Sequence, residues 1–448
     1  MKDTTEKAVA PQSPGLGKSG ERGDRGDKRS HSDTDAQALA QPTAGHNSGH
    51  SAERNVHVEA LRLIAIVGIA IFHTFLPFFN SVAYGTSLIS GTDVSALSQS
   101  GVALFFLGFV SLLGSMGNNI FFMISGFYLI PSLQRDSALP GFWSRQLRKT
   151  VRRAVIVVAT VAFYAVIAVC VDTWIVDIPG VSLHSWSWLV GGLEFVWLYL
   201  VAVFAAPVVA WLQGRFSRAW PIFVVSAFFI VMMLNCYIAF FSQGGVERGL
   251  TDWRKLMSAA TYGVAFILAG FIGSRWSAFR SLGASLAWGS VVLTVAVVTC
   301  VAAMHDASLM GALSFKSTSL LAFLMALGGL IAASSSAPKS VSESASESTS
   351  NAPGVARLIR FFAAGILGFY VANALFDGLV SKTTQSVLLN LLGIDSSAAN
   401  STGVTLSVPG LVSFAGAGIG ISVGFVAVVL LFDRLVAHPI LSAVHLTK

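Results

Sequence analysis

Residues 54–73 read RNVHVEALRLIAIVGIAIFH. Ten apolar residues run without a break from Leu63 to Phe72, bounded by Arg62 on one side and His73 on the other. A helix needs about 20 mostly apolar residues to cross a hydrocarbon core of about 30 Å. This stretch opens such a run, near 57–77, and nine more follow near 105–130, 151–171, 189–211, 220–240, 259–275, 283–303, 313–333, 360–380 and 409–432. The segment from Gly114 to Gly117 is a place where the long second run can break. The sixth run is short, so nine or eleven spans also fit the pattern. Composition agrees with the runs. Of 448 residues, 54% are hydrophobic and 11% charged, and mean hydropathy is +0.70. A soluble domain carries about 25% charged residues, so a water-soluble globule is excluded. The predicted fold class is all-α, a polytopic membrane bundle of about ten helices.

The remaining charge is uneven. Residues 1–56 hold 16 of the 51 charged residues. Residues 1–53 are rich in Ser, Gly, Asp and Lys and poor in aromatics, a composition that cannot bury enough apolar surface to offset the entropy of ordering. The expectation is a disordered cytoplasmic tail, and no apolar core in it suggests a signal peptide. Residues 334–354, SSSAPKSVSESASESTSNAPG, read as a flexible Ser-rich loop. Residues 436–448 read as a short C-terminal tail.

Placing the N-terminus inside puts 23 Lys and Arg in the inner segments and four in the outer loops. Positive charge concentrates on the cytoplasmic side, so both termini are expected there. The net charge of +7 is thus a topology signal, and nucleic-acid binding is not expected. Cys170, Cys236 and Cys300 each lie in an apolar run without metal-ligand spacing, so neither a disulfide nor a metal is expected.

Ionisable groups inside a span are costly and tend to be functional. Eleven helical steps separate Arg62 from His73. At about 100° each they bring both side chains to one face, roughly 16 Å apart along the axis. Singly, Arg62 fits a snorkelling anchor and His73 a buried histidine bonded to a neighbouring helix. Together on one stripe, with Glu59 one turn before Arg62, they point to chemistry. After the second run, Arg145 and Arg148 stand at i, i+3, able to share one helix face and to hold a phosphate bidentately. The competing reading is a positive-inside determinant touching anionic lipid. Asn119 and Ser125, within the second run, are candidates to hydrogen-bond a bound donor, against the alternative of helix–helix contact.

These segments carry a resemblance. RNVHVEALRLIAIVGIAIFH at 54–73, NIFFMISGFYLIPS at 119–132 and FWSRQLRKTVRR at 142–153 together resemble the integral-membrane acyltransferase 3 family. WLYLVAVFAAPVV at 197–209 and YGVAFILAGFIGSRW at 262–276 extend the likeness, which covers roughly residues 54–435. The resemblance implies a multi-pass protein of the cell membrane. It implies transfer of an acyl group, acetyl by default, from acyl-CoA to a hydroxyl of a cell-envelope carbohydrate. It implies Arg62 and His73 as the essential pair of the first span, and Arg145 and Arg148 as aids to acyl-CoA binding. One departure stands out. Where the ninth span of the family often has Tyr-Leu-Ile-His, this chain has Tyr370-Val371-Ala372-Asn373, and Asn373 cannot carry a proton.

A mechanism follows from these depths. Arginines hold the nucleotide phosphates inside, the pantetheine arm reaches outward, and the thioester meets His73 in the outer half. His73 then takes a hydroxyl proton or carries the acyl group itself. Glu194 or Asp377 can orient the imidazole, and either also fits a wetted carboxylate at the outer interface. Trp186 or Trp188 can offer an outer platform for a sugar. The rival function is a transporter or flippase of a lipid-linked sugar or small solute, disfavoured by the lack of paired broken helices in a repeat.

Overall fold

The computed structural model describes residues 55–443 apart from 89–91, 93, 95, 183–186, 242–249, 315–317, 337–352 and 394–406. The expected tail 1–53, most of the Ser-rich loop, Trp186 and the last five residues lie outside the described residues. All regular structure among the described residues is helical.

Ten apolar helices stand where the runs placed them. They are α1 (Val56–Tyr84), α2 (Gly101–Asp136), α3 (Phe142–Trp174), α4 (Glu194–Arg215), α5 (Trp220–Cys236), α6 (Leu250–Ser274), α7 (Gly283–Ala303), α8 (Leu320–Ser335), α9 (Ile366–Leu392) and α10 (Val408–Phe432). Eight spans meet the length and hydropathy of a membrane crossing as single segments, or nine if a bent pair counts as one. That pair is Gly354–Ala363 with α9, bent by 51°. The tenth, α8, has 16 residues, about 24 Å at 1.5 Å per residue, short of the hydrocarbon thickness. The last helix does not stop near 435 but continues through a π turn, Asp433–Ala437, to Ala443.

Local chemistry sets the ends. The Asn55 side chain accepts the His57 amide at 3.0 Å, and Glu59 in the first turn complements the helix dipole of α1. Gly85 closes α1 in the left-handed region at φ 66°, where glycine carries no Cβ penalty. Ser100 and Ser407 cap α2 and α10 through their side chains.

Helix α2 is the hub, packed against α1, α4, α6, α7 and α8. The glycines at 114 and 117 do not break it; it runs unbroken for 36 residues. Their role is approach. A Cβ on Gly114 would strike the Phe72 ring and one on Gly117 the Ala65 carbonyl, so both seat α1. Gly126 lies on the backbone of Phe266, and Gly273 answers from α6 against the Phe127 carbonyl. Pro131, one turn later, cannot donate its missing N–H to that carbonyl. Lipid tails are as apolar as side chains, so close contact between small residues, rather than escape from water, drives such pairing.

Burial separates inner helices from rim helices. The apolar window of α6 is 61% buried and that of α2 56%, against 22% for α5. Phe223, Phe229, Ile230 and Met233 of α5, with Trp288 and Val292 of α7, are exposed. Such a continuous apolar exterior suits acyl chains rather than water. The bent ninth span has its own anchor. Asp433 of the π turn accepts the Tyr164 hydroxyl at 2.9 Å and presses on Gly365 and Gly368 at the break, where any Cβ would collide with its carboxylate.

Candidate active site

Helix α1 crosses the interior against α2, α8, α9 and α10 and carries polar groups at two levels. In the C-terminal half of α1, His73 lines a cavity with Ala70, Thr74, Asn373, Asp377, Val380, Ile421, Ser422 and Phe425. Three helices build it. His73 and Thr74 come from α1, Asn373 and Asp377 from one face of α9, and Ser422 from α10. Asp377 and His73 interact electrostatically. The cavity volume is ≈ 20 Å³, on the scale of one water, so a hydroxyl fits it and a sugar ring does not. The His73 ring packs edge-on to Phe72 with centroids 5.0 Å apart. The Thr74 and Ser422 hydroxyls meet at 2.8 Å and tie α1 to α10. Pro77, four residues on, has no N–H for the His73 carbonyl, which is thereby released from the helix beside the cavity.

Near the N-terminal end of α1, Arg62 Nη1 donates to Glu59 Oε1 at 2.7 Å. Glu59 is 4% exposed, and its Oε2 has no hydrogen-bond partner among the described residues. Tyr128 of α2 lies in the field of this pair. Tyr199 of α4 faces Ser125, with Arg62 and Arg153 close enough to act on it electrically. Roughly 16 Å separates the two levels, because α1 sets Arg62 and His73 three turns apart.

The expected residues divide. Arg62, Glu59 and His73 all face the interior of the bundle. Asp377, one of two carboxylates suggested to orient the imidazole, shares the His73 cavity, while Glu194 is not among its lining residues. Asn373 lines the cavity at the position of the family histidine. Asn119 is fully buried, its amide donating to the Ser115 carbonyl at 3.0 Å, with no partner for Oδ1 among the described residues. Ser125 donates to the Phe121 carbonyl at 2.9 Å and its oxygen faces Tyr199, while Gly126 makes the close approach. Arg145 and Arg148 are exposed. The buried stripe of α3 runs through Phe142, Gln146, Thr150, Val157 and Tyr164; at about 100° per residue both arginines point well away from it. Trp188 donates its indole N–H to the Ser182 carbonyl at 2.7 Å.

Sequence reasoning missed Thr74 and Ser422, which carry no charge to betray them. It also missed Arg153. That residue falls about 30° from the centre of the α3 stripe, a signal that was present in the periodicity but hidden by the run of neighbouring cations.

Comparison with known families gives one match: residues 55–431 fit a family described as an acyltransferase domain. No curated protein and no solved structure matches the chain.

Proposed function

From the premise that this chain belongs to the acyltransferase-domain family, and is therefore a multi-pass membrane acyltransferase, we propose that it moves an acyl group from cytoplasmic acyl-CoA to a carbohydrate hydroxyl on the far side of the membrane. Acetyl is the proposed group and a cell-envelope glycan of the cell membrane the proposed acceptor. The family match displaces transport as the competing function. The observation that carries the reading is the convergence of His73 and Asp377, from distant parts of the chain, on one water-sized cavity three turns above Arg62.

Each residue has a role in this scheme. Arg62, held by Glu59, and the basic residues of α3 neutralise donor phosphates on the inner side. The acylated arm extends outward along α1. His73 accepts the proton of the acceptor hydroxyl as its oxygen attacks the thioester carbonyl carbon. The C–O bond forms, the C–S bond breaks, and the sulfur leaves with the proton returned by the imidazolium. Asp377 orients the ring and balances its transient charge, a positioning role. Thr74 and Ser422 hold the α1–α10 wall of the cavity.

The test is purified full-length protein in lipid nanodiscs, assayed for acetyl-CoA-dependent acetylation of a hydroxyl acceptor. His73→Gln keeps similar bulk and lacks the proton acceptor. It is expected to lower turnover by about 10²–10⁴-fold while acetyl-CoA still binds. Wild-type turnover in that variant would remove His73 from the chemistry.

A further inference from the structure

Tyr370 of α9 is 7% exposed, and its hydroxyl has no hydrogen-bond partner among the described residues. Its ring is held firmly, stacked on Phe195 at 4.4 Å and 13° and 5.0 Å from Phe121. Burying a hydroxyl without an acceptor is destabilising, and phenylalanine would pack the same space without that cost. The position of the phenol is informative. Tyr370, Asn373 and Asp377 fall on one face of α9, about 4.5 Å and 10 Å apart along its axis, and the latter two line the His73 cavity. On its other side Tyr370 continues through Phe121 to Tyr199, whose ring is 4.9 Å from Phe121 and which faces Arg62 and Arg153. Arg62 and Arg153 thus act electrically on Tyr199, and ring contacts lead from Tyr199 through Phe121 to Tyr370. Tyr370 shares a helix face with two residues of the His73 cavity, which places it between the two levels. Tyr262 lies beside it, and the Tyr262 oxygen already accepts from Asn118 at 3.1 Å.

We propose that the Tyr370 hydroxyl donates a hydrogen bond to a carbonyl oxygen of the acyl-thioester donor as its arm spans from the Arg62 level to the His73 cavity. This rests on the acyl-transfer reading. A thioester arm is chemically suited to the place. It is slender, mostly apolar, and carries carbonyl acceptors at intervals along its length. The aromatic rings give it an apolar wall, and the phenol gives it one polar register point.

The experiment compares wild type and Tyr370→Phe in nanodiscs, measuring affinity for acetyl-CoA and for CoA and the thermal midpoint of each protein. A net neutral hydrogen bond corresponds to about a two- to tenfold loss of affinity. Loss for acetyl-CoA alone places the bond on the acyl carbonyl; loss for both ligands places it on an amide of the arm. Either supports the proposal, provided the variant is as heat-stable as wild type or more so. Equal affinities in the two proteins overturn it. So does a lowered thermal midpoint with affinities unchanged, which marks the hydroxyl as a structural bond to a neighbouring helix or a bridging water. Wild type that binds no acetyl-CoA sinks the donor reading itself, and the proposal with it.

Discussion

His73 and Asp377 line one cavity because α1 and α9 pack together, and the proposed chemistry depends on that arrangement. A carboxylate beside an imidazole selects the ring orientation and stabilises the charge that proton transfer creates. Asp377→Asn keeps the shape and a hydrogen-bonding group but removes the charge. It is expected to lower kcat at least about tenfold, a part of the general-base contribution, while the donor KM holds and Asp377→Glu recovers some of the rate. A fall in donor affinity with kcat intact would instead make Asp377 a structural wall of the cavity. Glu59 illustrates the same principle at the inner level. Its carboxylate is buried and its bond to Arg62 fixes the guanidinium on the interior face. Glu59→Gln therefore acts through Arg62, and the expected readout is weaker acetyl-CoA binding without change in acceptor kinetics.

At the scale of elements, two features make sharp expectations. The first is the register of α3. All three arginines are exposed, but Arg145 and Arg148 point well away from the buried stripe, whereas Arg153 falls at its edge and acts electrically on Tyr199. Donor phosphate held deep in the bundle requires Arg153, and phosphate held at the surface requires the other two. Arg153→Gln is expected to weaken acetyl-CoA binding by more than Arg145→Lys or Arg148→Lys, each measured in nanodiscs; the reverse order would return the phosphate to the surface pair. The second is the bent ninth span. A methyl group on Gly368 would meet the Asp433 carboxylate and the Tyr164 hydroxyl. Gly368→Ala is expected to destabilise the fold by about 1–3 kcal/mol, seen as a lower thermal midpoint. Tyr164→Phe leaves the Asp433 carboxylate without this donor and is expected to lower the midpoint as well.

At the scale of the molecule the prediction concerns orientation. The mechanism needs Arg62 inside and His73 outside. The loop charges, 23 Lys and Arg against four, predict both termini in the cytoplasm. Single cysteines at positions 20, 90, 345 and 445 in a cysteine-free background report the side of each. A membrane-impermeant maleimide added to intact cells is expected to label position 90 and to spare the others. Labelling of position 90 from the cytoplasmic side alone would invert the axis, and the donor path with it.

The number and places of the apolar helices, the pairing of Arg62 with His73 on one face and the family motifs all follow from local order along the chain. Hydropathy needs only a window of residues, and helical phase needs only the spacing between two of them. Boundaries and continuity were less legible. The glycines of α2 looked like breaks by propensity, and the structure shows them as seats for α1 and α6, because in lipid a missing side chain is worth more as contact than it costs as flexibility. The partner of His73 was beyond any local reading. Glu194 and Asp377 read alike in the sequence, both acidic and placed by hydropathy near the ends of apolar runs. The structure puts Asp377 in the middle of α9, and only the packing of α9 and α10 against α1 admits it to the cavity and leaves Glu194 out. Arg153 among its neighbours, the hydroxyls of Thr74 and Ser422 and the unpartnered phenol of Tyr370 are of the same kind. Their meaning lies in what stands opposite them, and what stands opposite is decided by tertiary contact between helices far apart in the chain.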